Sequence, residues 1–219
     1  MKKVILILLV VLFFIPLSVS AQTSKHAIIV AYNGSGSYKI WATTCGRLFK
    51  DVLMEYGYSQ KEITLIFGKK ATPENIENAI NELKYVDEFI IGFFGHGSST
   101  SIGLHDSCIY HTELKELLSG LTSQKQLVVI DTCGSAGAII EGWDGITLNA
   151  ENRLILTSTK FEKETSVFSG HLTDWSRAVL KYGLLEGRAD FNGDGKVSVE
   201  EAGSIKGGMS DGYGEEFLL

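Results

Sequence analysis

Apolar residues along this chain fall into short continuous runs that alternate with segments of helical period. His26-Ala-Ile-Ile-Val-Ala31 is a run of strand length, and it stops at Asn33-Gly-Ser-Gly-Ser37, a glycine-rich loop. From Trp41 to Tyr56 the spacing changes: Trp41, Cys45, Leu48, Phe49, Val52, Leu53 and Tyr56 line one helical face. Ile63–Phe67 reads as a second strand. Thr72 as N-cap, Pro73 in the first turn and Glu74 behind it open a helix expected to end near Lys84. Glu88–Phe94 and Gln126–Ile130 are a third and fourth strand, Thr112–Leu118 is a short helix, Arg153–Thr157 a fifth strand and His171–Tyr182 a last helix. Strands that alternate with helices predict an α/β fold, a three-layer α/β/α sandwich around a mostly parallel central sheet.

Two neighbouring strand runs end in chemistry. Glu88–Phe94 leads into Gly95-His96-Gly97-Ser98-Ser99, and Gln126–Ile130 leads into Asp131-Thr132-Cys133-Gly134-Ser135. Open α/β sheets gather their chemistry outside the carboxyl ends of the strands. A thiol attacks a carbonyl as thiolate, so it needs a base beside it, and the oxyanion that forms needs backbone N–H donors. His96 supplies the base, and Gly97 and Cys133 supply amides where little side chain obstructs a substrate. Taken alone, a cysteine after an apolar strand is more often a small buried hydrophobe. The pairing of both residues at consecutive strand ends points instead to catalysis.

Composition narrows the setting. Met1-Lys2-Lys3, an apolar stretch from Val4 to Leu17 and Ser18-Val19-Ser20-Ala21 form the basic, apolar and small-residue regions of a signal peptide. The expectation is export to a secreted, cell-surface or periplasmic location after cleavage behind Ala21, with residues 22–219 as one domain. That segment contains two lysines and no acids, so its removal takes the formal net charge of −6 further negative. An acidic domain without a basic stripe excludes nucleic acid as a natural partner and leaves peptides or proteins. The three cysteines, Cys45, Cys108 and Cys133, leave open a Cys45–Cys108 disulfide or two buried free thiols.

The segment Asp190-Phe-Asn-Gly-Asp-Gly-Lys-Val-Ser-Val-Glu-Glu201 carries the pattern of an EF-hand-type calcium loop. Side-chain oxygens come from Asp190, Asn192, Asp194, Ser198 and Glu201, the turn from Gly195, and a backbone carbonyl from Lys196. Calcium, structural or activating, is the implied cofactor, and no organic cofactor is implied. The glycine-rich stretch beyond Glu201 leaves a helix–loop unit as the expectation in place of a full helix–loop–helix.

Phe93-Phe94-Gly95-His96-Gly97 resembles the histidine motif of the caspase–hemoglobinase fold of cysteine peptidases, which includes legumains and metacaspases. Val129-Ile-Asp-Thr-Cys-Gly-Ser-Ala-Gly137 is similar to their cysteine motif, with Ala136 inserted before the glycine. Gly170-His-Leu-Thr-Asp-Trp-Ser-Arg-Ala-Val-Leu180 is similar to a Gly-x-Phe-Thr helix of bacterial caspase-like proteins. The resemblance implies a cysteine endopeptidase with His96 as general base or acid, Cys133 as nucleophile and the Gly97 and Cys133 amides as oxyanion donors. In metacaspases the acid two residues before the cysteine lines a pocket for Arg or Lys, which implies a basic P1 preference through Asp131. Capping of the next helical turn by Asp131 is the bland alternative. Asn or Asp at P1 stays open, with Lys39 and Arg47 as residues that would face an acid. The intact His96 and Cys133 are the feature that sets this reading apart from an inactive recognition domain. Transpeptidation shares the acyl-enzyme with hydrolysis and stays open.

Overall fold

The computed structural model describes residues 23–34, 40–139, 147–160, 163–165, 167–168, 172–205 and 208–209. The signal-peptide segment, Lys39, Gly170 and His171 lie outside them. The apolar runs become parallel strands: β1 (Lys25–Tyr32), β2 (Ile63–Phe67), β3 (Val86–Gly95), β6 (Ser123–Asp131) and β7 (Arg153–Thr157). The sheet runs β10-β7-β6-β3-β1-β2, where β10 (Gly208–Met209) is the antiparallel edge. β4 (Ser101–Leu104) and β5 (Ser107–Tyr110) form a separate hairpin, and β8 (Val167–Phe168) pairs with β9 (Leu172–Thr173).

Both faces of the sheet are covered, and the strand alternation says by what. Ala27, Ile29, Ile90, Phe94, Leu127 and Val129 pack against helix α1 (Trp41–Glu55), α4 (Ser176–Leu185) and α5 (Val199–Ile205). Their neighbours Ile28, Val30, Phe89, Ile91, Phe93, Val128 and Ile130 pack against α2 (Pro73–Asn81) and α3 (His111–Gly120) on the other face. The three-layer sandwich with a mostly parallel sheet is therefore the observed architecture. Gly92 in β3 faces α1, where a β-carbon would come within 2.8 Å of the Phe49 ring. That position is glycine because the aromatic ring fills its place.

Three differences from the expected elements have physical causes. The Ser101–Tyr110 hairpin is too short and polar for its alternation to stand out in the sequence. Helix α4 starts at Ser176, later than His171, because Leu172 and Thr173 pair as a strand first, and it winds with π-helical hydrogen bonds. A seven-residue helix, α5, follows the acid-rich loop, so that loop is flanked by helices on both sides. Val199 and Ala202 hold α5 in the core, which offsets its poor local propensity.

Candidate active site

β3 and β6 are neighbours, with Phe94 opposite Asp131. His96 and Cys133 each lie two residues beyond that paired position, so the two motifs leave the sheet side by side. His96 is exposed and Cys133 half-buried, so both face reagents from solvent. The hairpin holds the histidine backbone: the Gly103 N–H donates to the His96 carbonyl at 2.8 Å, and the Ser98 N–H to the Ser101 carbonyl at 2.8 Å.

The two loops touch through glycine. A β-carbon on Gly97 would lie 2.5 Å from Thr132 Oγ1, one on Gly134 2.6 Å from Ser99 N, and one on Gly137 1.9 Å from Ser99 O. Gly97 thus makes room for the Thr132 side chain, while at Gly134 and Gly137 backbone meets backbone where the His and Cys motifs cross. Gly134 also takes φ +64°, which turns the chain before one short 3₁₀ turn, Ser135–Ala138. Cys133 therefore precedes a tight turn of four residues.

The chain after β7 completes the cysteine loop. Ser158 and Thr159 hydroxyls donate to the Thr132 carbonyl at 3.3 and 3.1 Å, and the Ser135 N–H donates to Thr159 Oγ1 at 3.0 Å. The Gly134 N–H is taken by the Lys163 carbonyl at 2.7 Å, while the Thr165 N–H donates to Cys133 Sγ at 3.4 Å. Among the described residues, no hydrogen bond takes up the Gly97 or Cys133 amide. These are the two amides named from the sequence. Ser158, Thr159 and Thr165 were missed; the hydroxyl run Thr157-Ser-Thr159 at the end of a neighbouring strand is the signal that marks the first two.

Asp131 is fully buried behind the cysteine. One of its oxygens accepts from the Thr173 hydroxyl and, at 2.6 Å, from Ser176 Oγ; among the described residues the other has no hydrogen-bond partner. Burial holds this carboxyl above the usual carboxylate range, against the pull of the surrounding hydroxyls. It caps no part of the Ser135–Ala138 turn. Its donors come from the start of α4, where the Ser176 N–H in turn donates to Thr173 Oγ1 at 2.9 Å. Cys45 on α1 shares this polar patch, and burial, followed by the Asp131 charge, pushes its thiol up to about 12. All three cysteines are free, with Cys45 in the core and Cys108 on the hairpin, so no disulfide joins those two. Arg47 is exposed on α1.

The acid-rich loop folds around its own carboxylates. Asp190 accepts from the Gly193, Asp194 and Gly195 amides at 2.8, 3.1 and 3.1 Å. Glu201 Oε1 reaches back to the Phe191 and Asn192 amides, both at 3.1 Å, and its Oε2 accepts from the Ser198 amide at 3.0 Å. Those donors, the Ser198 amide first, hold Glu201 below the usual carboxylate range. Asp194 accepts from the Lys196 amide at 2.8 Å. Among the described residues no three His, Cys, Asp or Glu side chains converge as a metal-holding group. The donor set is oxygen throughout, completed by Asn192, Ser198 and the Lys196 carbonyl, and that chemistry fits a hard cation. A cavity of about 570 Å³ adjoins this loop between Glu55, Tyr56, Leu184, Glu186, Gly195 and Lys196, and includes neither His96 nor Cys133.

No protein-family model matches this chain, and no curated protein matches it. Among solved structures it is similar to caspase-1 from Spodoptera frugiperda, with a TM-score of 0.58 over 90% of this chain and 90% of that one, at 14% identity. The likeness establishes a caspase-like α/β fold. Among the described residues no helix is long and apolar enough to cross a membrane.

Proposed function

We propose that this chain is an exported cysteine endopeptidase in which Cys133 is the nucleophile and His96 the general base and acid. One observation carries the reading: two adjacent, in-register strands end in His96 and Cys133, and their loops are glycine-packed onto each other. In this scheme His96 accepts the thiol proton and Cys133 Sγ attacks the scissile carbonyl. The Gly97 and Cys133 amides hold the oxyanion. The imidazolium returns the proton to the leaving amine, and water then hydrolyses the thioester. The Thr165 amide, already on Cys133 Sγ, fixes the position of the sulfur.

A basic P1 preference through Asp131 belongs to this reading by the resemblance of the cysteine motif, with the Lys or Arg head group as the charge partner of that carboxyl. Calcium belongs to the 190–201 loop through Asp190, Asn192, Asp194, Ser198, Glu201 and the Lys196 carbonyl. There it would neutralise the acids and brace the link between α4 and α5. Export rests on the first 21 residues of the sequence.

The test is a P1-scanning fluorogenic peptide assay on residues 22–219, with and without calcium, beside Cys133→Ala. Cleavage after Lys or Arg that Cys133→Ala abolishes is the expected result. No cleavage, together with no labelling of Cys133 by a thiol-reactive peptide probe, would return the chain to a binding role.

A further inference from the structure

The imidazole of a catalytic pair is normally oriented by a third group. Among the described residues none gives the His96 ring a hydrogen bond, although the ring stands on an exposed loop. What does touch it comes from the junction of β1 and α1. Trp41, only 3% exposed, meets the His96 ring edge-on, with centroids 5.9 Å apart and planes at 88°. On another side lies Gly34: a β-carbon there would come within 3.0 Å of His96 Cδ2 and 3.1 Å of Nε2. Gly34 also takes φ +69°, so its backbone is shaped to pass the ring at close range.

The same junction is fixed independently of the histidine. Ile40, the residue at the N-cap position of α1, makes no side-chain cap, and Asn33 supplies one from the end of β1. Its Oδ1 accepts from the Ala42 and Thr43 amides at 2.9 and 3.3 Å, and its Nδ2 donates to Thr43 Oγ1 at 3.3 Å. Asn33 thereby ties the helix start that carries Trp41 to the strand end that carries Gly34.

We infer that Trp41 is the positioning residue of the active site: it holds the His96 imidazole in its working rotamer against Gly34, in place of a hydrogen-bonded third member. This rests on the peptidase reading for its catalytic consequence, but not for the contact itself. An edge-on aromatic contact restrains the orientation of the ring without a hydrogen bond. Gly34→Ala would push into Nε2 and Cδ2 and move the ring the other way.

The experiment compares Trp41→Leu, Trp41→Phe, His96→Ala and the Trp41→Leu/His96→Ala double variant with the wild-type chain. Trp41→Leu should lower kcat about tenfold while KM changes little, as expected for a lost aromatic restraint. Trp41→Phe, which can restore an edge-on partner, should recover most of that loss. In the His96→Ala background Trp41→Leu should cost nothing further, because the residue acts through the histidine. An equal loss in both backgrounds, an unchanged kcat, or no recovery with Phe would overturn the inference. If the wild-type chain turns over no peptide, the peptidase reading fails separately, and the ring signals of His96 decide. Trp41→Leu should shift the His96 Cε1–H resonance and leave those of His26 and His111 in place; an unmoved His96 signal would sink the contact as well.

Discussion

Two loops in this molecule are rich in glycine, and they use it for different reasons. At the His96–Cys133 edge Gly97 and Gly137 have ordinary backbone angles but no room, since added β-carbons would fall 2.5 and 1.9 Å from Thr132 and Ser99. In the acid-rich loop Gly193 and Gly195 have open space within 4 Å but take φ +74° and +83°. The first kind of glycine lets two loops touch, and the second lets one backbone turn. A motif written in glycines therefore leaves its physics undetermined until the neighbours are known.

Substitution separates the two kinds, and the largest effect belongs to the crowded one. Gly137→Ala has to displace the Ser99 carbonyl, a backbone atom with no rotamer to offer, so the His and Cys loops must part. We expect loss of Cys133 turnover and about 2–3 kcal/mol of stability, as overpacked sites cost, read from peptide cleavage and the urea midpoint. Gly193→Ala meets no atom and carries only left-handed strain of about 1–2 kcal/mol. If Gly193→Ala proved as damaging as Gly137→Ala, the distinction between contact and turn would collapse.

The same contrast explains what could be read without coordinates. β2 and β7 match their apolar runs, and α1 matches to one residue, because burial on a sheet face leaves a direct period in the sequence. His96 and Cys133 were legible because glycine flanks mark strand ends. Trp41, Thr165, Thr173 and Ser176 were not, because each acts across elements far apart in the chain and has an ordinary local reading. Trp41 counts as a core helix residue until His96 is placed beside it, and Thr173 counts as a helix start until Asp131 is found buried against it. The enclosure of Asp131 depends on α4, which local pattern placed five residues too early.

Calcium sharpens the comparison next. If the acid loop turns in order to present oxygens, the ion should stabilise the folded chain and the glycines of the His96–Cys133 edge should be indifferent to it. With calcium at roughly ten times a millimolar-range Kd, the melting temperature should rise by about 3–5 °C over the chelated protein. Glu201→Gln should remove that rise, and differential scanning calorimetry reads both. A chelator that leaves the melting temperature unchanged would show the loop to be a self-capped turn.

The smallest effect compares one carboxylate from each region. Asp131, buried behind Cys133, is held above its ordinary value of 3.8 by burial. The folded chain then keeps a proton that the unfolded chain has already released, so raising pH upward from that value destabilises the folded form. Glu201 is held below its ordinary value of 4.5 by backbone donors. Its contribution is present above that value and fades as pH falls through the folded one. Urea midpoints of the wild type against Asp131→Asn should therefore lose ground as pH rises through the Asp131 window, whereas against Glu201→Gln they should gain. A midpoint difference for Asp131→Asn that stays flat or rises with pH would mean that the Thr173 and Ser176 hydroxyls outweigh burial. The carboxylate would then be ionised in the resting site, with its open oxygen already set for a cation.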